Sequence, residues 1–137
     1  MINYSVFETE MRVRPDDIDM NQHVHNSKYF DYVLAARYDQ MEKNYGMSME
    51  EFIKLDYGWV VSKAMIEYKR PLGLGDWFIV KTGIKEVLKN GVVVYFEIIK
   101  KNNSKLCSSG EFHYVMVSTK TGRSIQIPEK ILERYSI

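Results

Sequence analysis

The chain has 137 residues, 45% hydrophobic and 27% charged, with 19 basic against 18 acidic side chains and a formal charge of +1. That balance argues against a polyanion-binding surface, so no nucleic-acid partner is expected. Cys107 is the only cysteine, which excludes an internal disulfide, and no apolar run reaches the roughly 20 residues of a membrane span.

The length predicts a single domain, residues 1–137, able to bury roughly 68–70% of its unfolded surface without a metal or disulfide. Met1-Ile2-Asn3-Tyr4 lacks the basic start and apolar stretch of a signal peptide, so a cytoplasmic location is expected. From Phe7 to Arg14, apolar Phe7, Met11 and Val13 alternate with charged Glu8, Glu10 and Arg12, the period of a half-buried strand that Pro15 ends. From Ser27 to Tyr45 the period becomes helical, with Phe30, Val33, Leu34, Tyr38, Met41 and Tyr45 as the apolar stripe. Asn26 is the expected N-cap and Gly46 the stop. A shorter helix is predicted over Met49–Leu55, with Ser48 and Glu51 as a capping box.

The remainder reads as strands: Trp59–Tyr68, Trp77–Glu86, Val92–Lys101 and Lys105–Val117, all rich in β-branched and aromatic residues. Asn90-Gly91 and Asn102-Asn103-Ser104 are turn signals, making the last three strands an antiparallel meander. Pro128 opens a last helix, Glu129–Arg134. An antiparallel sheet curled over one long helix satisfies this α+β order. Several strands are apolar on a second face as well (Trp59, Val61 and Met65; Val93, Tyr95 and Ile99), which predicts self-association.

Polar chemistry concentrates between the first strand and the long helix. Asp16, Asp17, Asp19, Asn21, His23, His25 and Asn26 fall within eleven residues. A loop entering a helix N-terminus meets unpaired N–H groups and a positive dipole end, so a developing oxyanion is stabilised there. A carboxylate fixed nearby can attack a carbonyl or activate water. The plain alternative is structural, because Asp, Asn and His are all favoured in loops and caps. Asp17, Asp19, His23 and His25 are metal-ligand types but match no accepted metal motif, so no metal is expected. Cys107 lies mid-strand without basic neighbours and reads as core, not as a nucleophile.

The run Val13-Arg14-Pro15-Asp16-Asp17-Ile18-Asp19-Met20-Asn21-Gln22-His23-Val24-His25-Asn26-Ser27-Lys28-Tyr29-Phe30 resembles the hotdog-fold thioesterases of the 4-hydroxybenzoyl-CoA thioesterase family. Its Asn-Gln-His-Val-x-Asn-x-x-Tyr wording is similar to acyl-ACP thioesterases. Ile66-Glu67-Tyr68-Lys69-Arg70-Pro71, then Gly75-Asp76, and the closing Ile127-Pro128-Glu129 extend the resemblance over essentially the whole chain.

The resemblance implies a hotdog fold, a five-stranded antiparallel sheet wrapped around a central helix, assembled as a homodimer or homotetramer with active sites at the dimer interface. It implies an acyl-CoA thioesterase with Asp19 as nucleophile or general base. Asn21 and His23 would position Asp19 or the water, and a backbone N–H around Asn26 would hold the thioester carbonyl. No cofactor is implied, coenzyme A being part of the substrate. Tyr29, Tyr32 and Trp59 are candidates for the acyl pocket. Lys85 and Lys89, with Lys69 and Arg70 next, are candidates for the CoA phosphates, solvated strand ends being the plain alternative. Arg37 falls inside the helix's apolar stripe, where a buried guanidinium needs a partner, and a carboxylate from the polar loop is the expected one.

Relatives that carry a helical glutamate before Ala-Arg have Leu34 in its place here, which speaks against a hydratase or dehydratase. Pro71 stands where plant acyl-ACP enzymes place an acid or cysteine, which favours the acyl-CoA branch or a smaller bacterial variant. An acyl-ACP thioesterase and a non-catalytic acyl-thioester-binding protein remain the alternatives.

Overall fold

The structure is a computed structural model that describes residues 4–135. Five strands, β1 (Val6–Arg12), β2 (Tyr57–Tyr68), β3 (Trp77–Val87), β4 (Gly91–Lys100) and β5 (Leu106–Ser118), form one antiparallel sheet in the order β1-β3-β4-β5-β2. Because β1 and β2 occupy opposite edges, the chain between them must cross the sheet. It does so as α1 (Asn26–Lys43) and α2 (Met49–Lys54), and α3 (Glu129–Tyr135) follows the last strand. This is the hotdog arrangement anticipated from the resemblance.

The β1 alternation holds as written, though pairing stops at Arg12, and Val13 bonds the Asp76 carbonyl instead. A single 3-10 turn, Pro15–Asp17, was not foreseen. In α2 only half of the capping box forms, with Ser48 Oγ accepting from the Glu51 N–H at 3.3 Å. Gly91 and Gly110 have no room for a Cβ, because the Tyr114 and Met65 carbonyl oxygens pass directly over them.

The α1 stripe needs correction. Its buried face is Tyr29, Tyr32, Val33, Ala36, Arg37, Gln40 and Met41, whereas Leu34 and Tyr38 are exposed. Two polar residues, Arg37 and Gln40, sit in the middle of the buried face and hide its period. They divide two apolar clusters. The first packs Tyr29, Tyr32 and Val33 against Phe78, Val80, Phe96, Ile98 and Phe112. The second joins Met41 and Tyr45 to Phe52, Val94, Met116, Ile131 and Tyr135 from all three helices and the sheet. Each large apolar side chain buried in either cluster contributes about 1.5–3 kcal/mol.

The second apolar face also differs in part. A bulge between Val61 and Lys63 reverses the side-chain alternation of β2. Trp59 and Val61 consequently face the helices, while Val60 and Met65 share the outer face with Glu111 and Val115. Val93, Tyr95 and Ile99 alternate with core Val94, Phe96 and Ile98, and so face outward as expected.

Candidate active site

The loop from Asp16 to His25 is tied down at four points. Ile18 bridges Val24, His23 bridges Gly73, the Val24 N–H reaches the Leu72 carbonyl at 2.9 Å, and the His25 N–H reaches the Asp17 carbonyl at 3.0 Å. Asp17 is buried, and its Oδ2 accepts the Tyr32 hydroxyl at 2.6 Å and the Arg14 N–H at 3.3 Å. It is a structural anchor of the loop.

Asp19 sits differently. Its backbone N–H reaches the His23 carbonyl at 2.8 Å, and Gln22 adopts a left-handed φ of 64°, so the chain reverses within four residues. That reversal points two N–H groups at one carboxylate oxygen: Oδ1 accepts from Asn21 at 2.9 Å and from His23 at 3.2 Å. Oδ2 has no partner among the described residues. Thus Asn21 and His23 do hold Asp19, but through their backbones; both side chains are exposed and make no hydrogen bond among the described residues. Asp19, Asn21 and His25 line a shallow depression together with Ile18 and Met20.

The helix begins at Asn26, which is therefore its first residue and not its N-cap. His25 holds the cap position and makes no side-chain capping bond. The sequence favoured Asn as a cap, but the His25–Asp17 backbone bond sets the chain direction one residue earlier. Among the described residues the Asn26 and Ser27 N–H groups have no acceptor, so the positive end of an 18-residue helix is open just past His25, which shares the depression with Asp19. Tyr68 steadies this end by donating its hydroxyl to the Asn26 carbonyl at 2.8 Å, a contact that sequence reasoning missed. Tyr29 is core: its hydroxyl accepts the Leu72 N–H at 3.1 Å, and burial pushes its ionisation up. Tyr32 is likewise committed, to Asp17.

A second depression, a cavity of about 230 Å³, lies farther along α1. Leu34, Arg37 and Met41 line it from α1, Trp59 from β2, Tyr114 from β5 and Tyr135 from α3. Of the residues expected in an acyl pocket, only Trp59 is in its wall. Lys85 pairs with Glu111 on the outer face of the sheet, and Lys89 lies exposed in the β3–β4 turn. Lys85 is eight residues beyond Trp77, about 26 Å along β3 from the Gly73 end that meets the Asp19 loop. Within one chain, then, the two lysines are not brought to Asp19. Arg37 has no carboxylate partner among the described residues, contrary to expectation. It donates through Nη1 to Tyr45 Oη at 3.3 Å and Thr82 Oγ1 at 3.2 Å, and the loop's buried carboxylate is taken by Tyr32. Cys107 is buried, which pushes its thiol up and away from nucleophilic use.

The model of the thioesterase-like superfamily matches residues 13–135, which contain the Asp19 loop, the central helix and four of the five strands whole. The chain belongs to the thioesterase-like superfamily. Membership makes thioester hydrolysis its enzymatic class. Long-chain acyl-CoA thioesterase FadM of Escherichia coli is 21% identical over 127 residues, covering 93% of this chain and 95% of its own. The chloroplastic acyl-acyl carrier protein thioesterase ATL3 of Arabidopsis thaliana is 25% identical over 130 residues, covering 93% of this chain and 66% of its own. Among solved structures, the Staphylococcus aureus protein SAV2348, in complex with CoA, superposes with a TM-score of 0.86 at 24% identity, over 98% of this chain and 83% of its own.

Proposed function

We propose that this superfamily member hydrolyses acyl-CoA thioesters at the N-terminus of α1, with Asp19 as the reactive carboxylate. The observation that carries the reading is the double N–H clamp on Asp19 Oδ1, which leaves Oδ2 free in a depression shared with His25, the residue that leads into the unpaired N–H groups of Asn26 and Ser27. A thioester carbonyl resting against those N–H groups gains stabilisation as its oxygen becomes an oxyanion, an effect worth about 10²–10³ in rate per aligned donor. Asp19 then either attacks the carbonyl carbon, expelling the CoA thiolate, or takes the proton of an attacking water. In the first course an acyl-aspartyl anhydride forms and water hydrolyses it.

Self-association belongs to the same reading. β2 is a 12-residue edge strand that exposes Val60, Val61, Met65 and Tyr68. A free edge of that length and apolarity is rarely left unpaired, and pairing with the same strand of a second copy continues the sheet. Tyr68, which holds the Asn26 carbonyl, lies on this strand, so such an interface would adjoin the catalytic end.

The test is thiol release from a panel of short, long and aromatic acyl-CoAs, with Asp19→Asn as control. Release that falls at least a hundredfold in the variant supports the reading, and equal release in both refutes it. The buried Cys107 leaves a thiol reagent free to report the released CoA.

A further inference from the structure

Arg37 is 7% exposed and lines an otherwise apolar cavity. A guanidinium taken out of water is costly unless an anion or a full set of acceptors meets it. Here only Nη1 is engaged, by two neutral hydroxyls, and the ring of Tyr45 lies 5.1 Å from the guanidinium carbon. Those hydroxyls are themselves fixed. Thr82 donates to Gln40 Oε1, and Gln40 Nε2 donates to Thr9 Oγ1 at 3.0 Å, so this buried network locks the guanidinium in place. Nε–H and the two Nη2–H donors have no partner among the described residues. The buried carboxylate of the polar loop, Asp17, is bound by Tyr32. Tyr114, also in the cavity wall, has a hydroxyl with no hydrogen-bond partner among the described residues. The positive charge of Arg37 opposes the upward push that burial gives the Tyr114 and Tyr135 hydroxyls, as expected of a cation close to both.

The spacing along α1 gives the cavity a place relative to Asp19. Leu34 lies about 12 Å and Arg37 about 16 Å from Asn26 at 1.5 Å per residue. An acyl chain running along the helix from a carbonyl at Asn26 would reach Leu34 first and Arg37 at its far end. The cavity, about 230 Å³, suits an acyl tail and not a whole coenzyme.

We propose that this cavity takes an acyl group ending in a carboxylate, with Arg37 as the residue that selects it. The claim rests on the thioesterase reading and narrows it to ω-carboxyacyl thioesters. A terminal carboxylate supplies the missing anion and can accept from the Nε and Nη2 donors together, the geometry in which guanidinium–carboxylate bonds are strongest. A terminal methyl of the same length leaves the buried cation unmatched.

The experiment pairs dodecanedioyl-CoA, whose extended chain of about 14 Å matches the Asn26–Arg37 spacing, with dodecanoyl-CoA as substrates, and free dodecanedioate with free dodecanoate in calorimetric binding. The wild type should favour dodecanedioyl-CoA by at least about tenfold in kcat/KM, chiefly through KM, as one charged hydrogen bond warrants. Arg37→Met should bring that ratio to about one or below, and Arg37→Lys, which keeps the charge but loses the fork, should fall between. An equal or reversed wild-type preference overturns the proposal, as does a ratio unchanged in Arg37→Met. Should Arg37→Met fail to fold, the wild-type ratio and the binding of free dodecanedioate over dodecanoate decide alone. If neither thioester is cleaved, the hydrolase reading fails separately, and calorimetry still decides the cavity: tighter dodecanedioate supports the proposal, and equal binding overturns it.

Discussion

The Tyr32 hydroxyl donates to Asp17 Oδ2 at 2.6 Å inside the core, and this bond separates the roles of the two carboxylates in the Asp17-x-Asp19 pair. Asp17 is consumed by structure. Asp19, two residues on, is clamped on one oxygen only and faces an open depression. Neighbours of the same chemical type thus sit in unlike environments, because one meets a helix side chain and the other a backbone turn.

Removing the bond tests that division. Tyr32→Phe leaves the buried Asp17 carboxylate with the Arg14 N–H and the Lys28 ammonium at 4.0 Å. Leaving a buried acceptor short of its donor costs about 1–3 kcal/mol. Urea unfolding of Tyr32→Phe should show a loss of that size; a stability equal to wild type would mean the bond does not anchor the loop.

Stability should fall in alkali. Burial pushes the hydroxyls of Tyr29, Tyr32, Tyr114 and Tyr135 above the ordinary tyrosine value, with the Asp17 bond adding to the push on Tyr32. Unfolded tyrosines ionise near pH 10, whereas these stay protonated in the fold, so the native state holds more protons there. The stabilisation is complete below about pH 10 and is lost as the pH rises beyond it. Tyrosinate absorbance should therefore show a class that ionises only with cooperative unfolding. A native chain whose tyrosines all titrate near pH 10 would contradict this.

The edge pairing of β2 predicts a dimer that charge can break. Val60 and Met65 lie on the outer face of the edge strand, 49% and 43% exposed. Val60→Lys with Met65→Lys should shift the species seen by light scattering from twice the 16.2 kDa chain mass to once it, with loss of activity as Tyr68 is disturbed. A doubly substituted chain that remains dimeric would remove β2 from the interface.

Much of this architecture was legible because local patterns agreed with the tertiary result. The Phe7–Met11 alternation, the Asn90-Gly91 turn and the Gly46 stop each specify their element without distant help. The α1 face was misread because its central residues, Arg37 and Gln40, are polar yet buried, held by Thr82 and Thr9 from strands far away in sequence. The bulge beyond Val61 carries no signal in residue type, so the inward turn of Trp59 and Val61 was invisible. The cavity wall was likewise hidden, since Leu34 and Tyr135 are a hundred residues apart. In the Asp19 loop the composition marked a cluster of polar residues, but the groups that hold Asp19 are backbone N–H groups, which composition cannot reveal.

The most direct measurement compares kcat for acyl-CoA hydrolysis in Asp19→Asn and Asp17→Asn, each with its unfolding midpoint. Asp19→Asn should lose at least a hundredfold in kcat at near wild-type stability, whereas Asp17→Asn should lose stability and retain the larger share of its turnover. An Asp19→Asn enzyme that still turns over, or an Asp17→Asn enzyme that is fully stable and inactive, would contradict the assignment of the reactive carboxylate.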